Sequence, residues 1–293
     1  LLYLHGGMPD YFLAERFNAG LEDLFTVCWW EQRGAGLSYD PAASPGSVHF
    51  AQLVSDALAV TDYLRSRFDK PRIYLMGHSG GTFLGMHTIA RAPERFHAYI
   101  GVAQITDQLN SEVLAYDYMR AKFRETGDAA MLRRLEANPV RLESGVPARY
   151  YAVRDEAMHR LGIGTMHEMR SVESGLLLAS LRCPDYTLSE KIHLWRGKAA
   201  TGVSSMWEEM LRSRLGEQIP AVKVPVYLFH GVHDYTCSFT LAQAYFDALQ
   251  APLKGFYTFS ASAHSPVFEE PEKARRILRD DVLHAQNKLA DRR

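Results

Sequence analysis

The stretch from Ile73 to Ala90 constrains this chain more than any other. An apolar run, Ile73-Tyr74-Leu75-Met76, ends in Gly77-His78-Ser79-Gly80-Gly81 and passes straight into Thr82-Phe83-Leu84-Gly85-Met86-His87-Thr88-Ile89-Ala90. A buried strand, a tight turn and a helix are expected in that order. Glycines two before and two after Ser79 leave room for strand and helix to approach, and the turn forces the serine into a strained backbone with its hydroxyl lifted out of the sheet. The helix that follows aims unpaired N–H groups and the positive end of its dipole at the same spot. Negative charge is favoured there, so the turn is a place to attack a carbonyl.

Around this unit, strands and helices alternate. Leu1 to Leu4 reads as a buried strand that stops at His5-Gly6-Gly7-Met8-Pro9-Asp10, and Phe25 to Trp30 as a second that stops at Glu31-Gln32-Arg33-Gly34-Ala35-Gly36-Leu37-Ser38. Ser47 is placed to cap a helix whose apolar positions Phe50, Leu53, Val54, Ala57, Leu58, Thr61 and Leu64 fall at helical spacing. Ala98 to Val102 reads as a further strand. Such alternation predicts an α/β fold with a mostly parallel sheet, its ligands gathered at the carboxyl ends of the strands.

From Thr106 to Ile219 the pattern is helical and polar. Leu114, Tyr118, Ala121 and Phe123 read as the apolar face of its first helix, and Leu176 to Leu181 and Trp207 to Leu215 as later ones. Strands return at Val226 to Gly231 and Gly255 to Phe259, and Pro271 to Leu289 reads as a closing amphipathic helix. The expected division is a core of residues 1–105, an inserted helical cap of 106–219 and the rest of the core at 220–293.

The chain has 293 residues, 47% of them hydrophobic, which is enough for a large core. A net charge of −1 and an isoelectric point near 6.9 leave no footprint for nucleic acid or an anionic membrane, so the expected partner is a small molecule or a short peptide. Cys28, Cys183 and Cys237 are odd in number and lack metal-ligand spacing, which argues against a disulfide framework and for the cytoplasm. No run approaches the roughly eighteen apolar residues of a membrane span, so a soluble chain is expected. It opens without Met on an apolar run, as though N-terminal strands preceded it, and nothing can be read about a leader peptide.

A serine hydroxyl is a poor nucleophile unless a base lies within hydrogen-bond reach, held in one tautomer by a carboxylate. Ser79, Asp234 and His264 occur in that chain order, each just after an expected strand, which is the order of α/β-hydrolases. His264 lies in the loop after the last strand, where a ring can hang over the nucleophile. His230 and His233, beside Asp234 on its own strand end, read as structural, and Asp247, in an expected helix, as solvated. The oxyanion donors expected are the N–H of Gly80 and one from the first loop, Gly7 before Gly6 or Met8.

Leu-His-Gly-Gly at 4–7, Glu-Gln-Arg-Gly-Ala-Gly-Leu-Ser at 31–38, Gly-His-Ser-Gly-Gly at 77–81, His-Gly-Val-His-Asp at 230–234 and the His264 loop together resemble the proline iminopeptidase family of α/β-hydrolases. The likeness covers the core and not the cap. It implies a serine hydrolase with a helical cap over its site, needing no metal or organic cofactor, that removes an N-terminal residue, often proline, from short peptides. The chain departs from the family pattern at three places: Met8-Pro9-Asp10 after the first glycines, Glu31 where Asp is usual, and Gly80 where Trp is common. The family reads the substrate amine with cap glutamates. Glu208 beside Trp207 is the first candidate here, ahead of Glu209, Glu168 and Glu173, with Gly6 also against the substrate. Arg33 reads as a residue that ties loops together.

Two enzyme readings share every catalytic residue: an aminopeptidase, and a carboxylesterase whose cap suits an apolar acyl group. A carboxylate presented by the cap to a free ammonium separates them. A non-catalytic binding protein on the same fold is disfavoured because the triad and the oxyanion glycines are all present, and a dehalogenase because its nucleophile would be Asp.

Overall fold

A computed structural model of the chain, in which residues 1–42, 48–201 and 205–293 are described, contains one sheet of six strands. They are β1 (Leu2–Leu4), β2 (Cys28–Trp30), β3 (Ile73–His78), β4 (Phe96–Val102), β5 (Val226–Gly231) and β6 (Lys254–Phe259). Their order in space is β2-β1-β3-β4-β5-β6, and every pairing is parallel. The expected strands are found, the second shortened to its last three residues.

Alternate side chains go to opposite faces. Leu2, Leu4, Leu75, Tyr99 and Leu228 pack into one apolar cluster, whereas Tyr3, Met76, Ala98, Ile100 and Phe229 pack into another. Both faces are therefore covered, which is why β3 and β5 read as continuous apolar runs rather than as alternating ones. Leu4 pairs with Gly77 and Gly77 with Gly101, so the residues that follow β1, β3, β5 and β6 emerge along one edge.

Thirteen α-helices are described. Before β4 lie α1 (Tyr11–Phe17), α2 (Phe50–Arg67) and α3 (Gly80–Arg91). Between β4 and β5 lie α4 (Gln108–Glu125), α5 (Ala129–Glu136), α6 (Tyr151–Arg160), α7 (Leu178–Arg182), α8 (Leu188–Thr201), α9 (Ser205–Arg212) and α10 (Leu215–Gln218). The chain closes with α11 (Phe239–Ala248), α12 (Pro266–Glu269) and α13 (Pro271–Ile277). In α2 the buried positions are Leu53, Val54, Ala57, Thr61 and Leu64, as the spacing predicts; its expected cap Ser47 lies outside the described residues. No described helix is long and apolar enough to cross a membrane.

Two expectations need correction. In α4 the buried face is Ser111, Glu112, Ala115, Tyr116, Met119 and Phe123, while Leu114 is exposed; the helix turns Glu112 inward because Arg154 waits there. The closing helix does not reach Leu289. After Ile277 it widens into one looser turn, Leu278–Val282, and the chain then doubles back. Buried Asp281 holds the reversal, accepting hydrogen bonds from the N–H of Lys288 (3.0 Å) and Leu289 (2.8 Å) and from the Tyr257 hydroxyl (2.8 Å). Three donors to one buried carboxylate outweigh another turn of exposed helix.

The helices between β4 and β5 bury an apolar cluster of their own, with Ala115, Met119, Leu135, Tyr150 and Met158 in it. They are also tied to the sheet from both sides. Met206 and Met210 of α9 join the first sheet cluster, and Tyr186 and Leu194 the second.

Candidate active site

Ser79 sits between the last residue of β3 and the first of α3 with φ 54° and ψ −124°. An L-residue avoids that conformation, so the surroundings must impose it. They do so from two sides. The Ser79 N–H donates to the Val102 carbonyl at 3.0 Å, and α3 leaves so close to β1 that a side chain on Gly81 would run into the Leu4 carbonyl oxygen. A Cβ on Gly6 would lie 2.6 Å from the Ser79 Cβ, which shows how closely the first loop is laid against Ser79.

Gly6, Gly7, Met8 and Gly80 all border the cavity that Ser79 opens onto. The Gly80 N–H is the first of α3 and has no acceptor within its helix. His5 shapes the same loop. Its Nε2 accepts from the Gln32 N–H at 3.0 Å and its Nδ1 therefore donates to the Gly6 carbonyl at 2.9 Å, so the ring is neutral. Arg33 ties loop to helix, as read, with two bonds to Asp56 of 2.7 and 2.9 Å.

Asp234 and His264 also meet at this edge. Asp234 Oδ2 is 2.9 Å from His264 Nδ1, and Oδ1 accepts the N–H groups of Thr236 (2.8 Å) and Cys237 (2.9 Å). Burial alone would raise the Asp234 pKa, but the His264 charge and hydrogen bonds from His230 and His264 hold it far below the ordinary carboxylate range. Burial pulls His264 below its usual value, and Asp234 restores part of the loss. His230 is fully buried with Nε2 2.9 Å from the Cys237 carbonyl, and His233 stacks on His167 with ring centres 3.9 Å apart, so neither rival reaches the cavity. Asp247 is half-exposed and paired with Arg292.

The His264 loop is held by Glu269, a residue that no motif in the chain singles out. Glu269 Oε1 accepts from the N–H groups on either side of His264, those of Ala263 (3.0 Å) and Ser265 (3.1 Å), and Oε2 accepts from His167 N–H at 2.6 Å. Burial pushes its carboxyl up to about 7 against these three donors.

The cavity measures about 410 Å³, room for a small ligand. The sheet edge supplies Gly6, Gly7, Ser79, Gly80 and His264; the intervening helices supply Tyr151, Arg154, Asp155, Met158, His159, Met206, Trp207 and Met210. Glu208 is not brought there. It is exposed on the outer face of α9, 3.6 Å from Arg212, because Met206 and Met210 take the inward positions. Glu209, Glu168 and Glu173 do not line the cavity either.

The helical acid that does is Asp155, beside Arg154. Arg154 is fixed by two bonds of 2.7 Å to fully buried Glu112 and one of 3.1 Å to Asp155. Burial opposes ionisation of Asp155, yet the charges of Arg154 and Lys198 keep its pKa below the ordinary value. A charged Arg154-Asp155 pair among the buried Val153, Ala157 and Met158 of α6 was the available sequence signal. Among the described residues, Asp234, Cys237 and His264 offer ligand atoms within 4.8 Å of one another, but a metal there must break the Asp234–His264 bond.

The chain is 29% identical over 290 residues to the Probable aminopeptidase YbaC of Bacillus subtilis (strain 168), covering 97% of this chain and 89% of that one. Among solved structures, VinJ superposes with a TM-score of 0.64 at 16% identity, covering 97% of this chain and 89% of that one. The proline iminopeptidase of Mycobacterium smegmatis superposes with a TM-score of 0.59 at 16% identity, covering 97% and 88%. Both superpositions confirm the α/β-hydrolase fold. Residues 3–153, more than half of the chain and including the Ser79 turn, match the family described as Serine aminopeptidase, S33, and to that family of α/β-hydrolases the chain belongs.

Proposed function

We propose that this protein is a serine hydrolase that cleaves a short peptide or small amide through an acyl-enzyme, as an aminopeptidase of the proline iminopeptidase kind, in the cytoplasm and without a metal or organic cofactor. The observation that carries the reading is that strained Ser79 shares one cavity with His264, whose Nδ1 is bonded to Asp234. With Nδ1–H donating a hydrogen bond to the ionised Asp234, the lone pair of the neutral ring is on Nε2. Nε2 takes the Ser79 proton as the oxygen attacks the substrate carbonyl, and the N–H groups of Gly80 and Gly7 receive the charge that develops on the carbonyl oxygen. The imidazolium then protonates the leaving amine, and a water activated by the same nitrogen releases the acid.

Asp155 supports the peptidase reading, since it gives a substrate ammonium a carboxylate in the cavity, the part assigned at first to Glu208. Gly6 contributes its close approach to Ser79. The separate apolar cluster of the helices supports the division into a cap of 106–219 over a core of 1–105 and 220–293. A second reading, a carboxylesterase, is favoured by Met158, Met206 and Met210 in the cavity wall and by the cations that already flank Asp155.

The test is a panel of aminoacyl-naphthylamides beside short-chain nitrophenyl esters, run on the wild type and on Ser79→Ala. The variant is expected to stay folded and to lose several orders of magnitude in turnover on the best substrate. Near-native turnover in Ser79→Ala sinks the mechanism. Esters and N-blocked substrates outrunning free-amine ones select the esterase.

A further inference from the structure

The Ser79 turn carries a second buried histidine, for which the mechanism above has no use. His78 ends β3 with Nδ1 2.7 Å from Asp10 Oδ2 and Nε2 2.9 Å from the carbonyl oxygen of His264. Both partners are acceptors. A neutral imidazole has one N–H, so one of the two contacts would set acceptor against acceptor, and only the imidazolium makes both. Asp10 is in turn fixed by the Tyr3 hydroxyl at 2.9 Å.

From these contacts we propose that Asp10 and a doubly protonated His78 form a positioning pair that fastens the backbone of His264 to the loop carrying Gly6 and Gly7, holding the base over Ser79. The inference rests on the catalytic reading of Ser79 and His264. It joins two halves of the site that come from opposite ends of the chain. The base loop is attached through its carbonyl to His78, and the oxyanion loop through Asp10, whose residue is only three positions after Gly7. One proton holds both.

The charged surroundings fit this assignment. Asp10 and Asp234 face His78 with negative charge, His5 is neutral by its own hydrogen bonds, and the His264 ring lies with its centre 5.1 Å away. Burial lowers the His78 pKa, but the Asp10 hydrogen bond and charge and the His264 carbonyl outweigh it and leave the group above its ordinary value. The charge on His78 in turn helps keep His264 neutral and ready as a base. Since the folded value is raised, the pair is complete below about 6.5 and is lost as pH rises through the higher folded value.

Two measurements on the full chain test this. The first follows kcat and KM against pH with a nitrophenyl ester that has no titrating amine, for the wild type and His78→Gln. The wild type is expected to lose kcat on an alkaline limb; His78→Gln is expected to lack that limb, with kcat lower on the order of tenfold to a hundredfold and KM within about threefold. The second needs no variant: nitrogen spectra of ring-labelled histidine should show one buried histidine protonated on both nitrogens at pH 7, absent from Asp10→Asn. An alkaline limb that survives in His78→Gln, or a His78 that is neutral at pH 7, overturns the pair. Either result leaves the serine mechanism standing, because that is judged by Ser79→Ala.

Discussion

Asp234 Oδ2 lies 2.9 Å from His264 Nδ1, and a carboxylate at that nitrogen favours the tautomer with its proton on Nδ1 and its lone pair on Nε2. The same aspartate is shared with His230, whose Nε2 is 3.4 Å from Oδ2. A carboxylate with both oxygens occupied and no exposure has no freedom to drift, so the ring it holds has little either.

Because His264 must be neutral to accept a proton and burial lowers its pKa, activity should rise with pH through a value below about 6.5. The sign follows from the lowered value: protonating His264 in the fold costs more than in the unfolded chain, so acid removes activity and stability together. A profile of kcat/KM against pH checks this. An acid limb centred well above 6.5 would contradict the burial argument.

Gly6→Ala should nearly abolish turnover. The added Cβ would sit 2.6 Å from the Ser79 Cβ and 3.1 Å from the His78 carbonyl oxygen, so the first loop has to retreat from the nucleophile. A displacement near 1 Å costs on the order of a hundredfold in rate. Wild-type kcat in this variant would mean that the loop has slack.

In the cavity wall, Asp155→Asn should raise KM for free-amine substrates by at least about tenfold and spare N-acylated ones, since a charge-assisted hydrogen bond is lost. Glu208→Gln should change neither, because Glu208 is exposed, lies outside the cavity lining and pairs with Arg212. Steady-state kinetics on matched free and acetylated substrates separates the two variants.

Glu112→Gln is a prediction about stability. Glu112 has no exposure and takes both bonds from Arg154, so its neutralisation leaves a buried guanidinium without its main partner. Removing one member of such a pair costs roughly 3–5 kcal/mol. A melting temperature within a degree of the wild type would show that the pair is not holding the helices to one another.

The sequence determined the parts of this protein that follow from local chemistry. A short continuous apolar run bounded by glycines reads as a strand buried on both faces, Gly-x-Ser-x-Gly after it as a tight turn, and Ser79, Asp234 and His264 come in the chain order of one fold. The parallel sheet and the meeting of Asp234 with His264 were legible for that reason. What faces inward from the helices was not legible. The face of α4 is set by Glu112 finding Arg154 forty-two residues on, and Met206 and Met210 take the inward positions that send Glu208 to solvent. Likewise nothing in its motif singles out His78, and Asp10 stands only as part of a departure in a loop; their roles come from the fold, which lays β1 beside β3 and brings the His264 carbonyl to the ring. Partners chosen across the fold leave no periodicity in the chain, so only the tertiary structure could decide them.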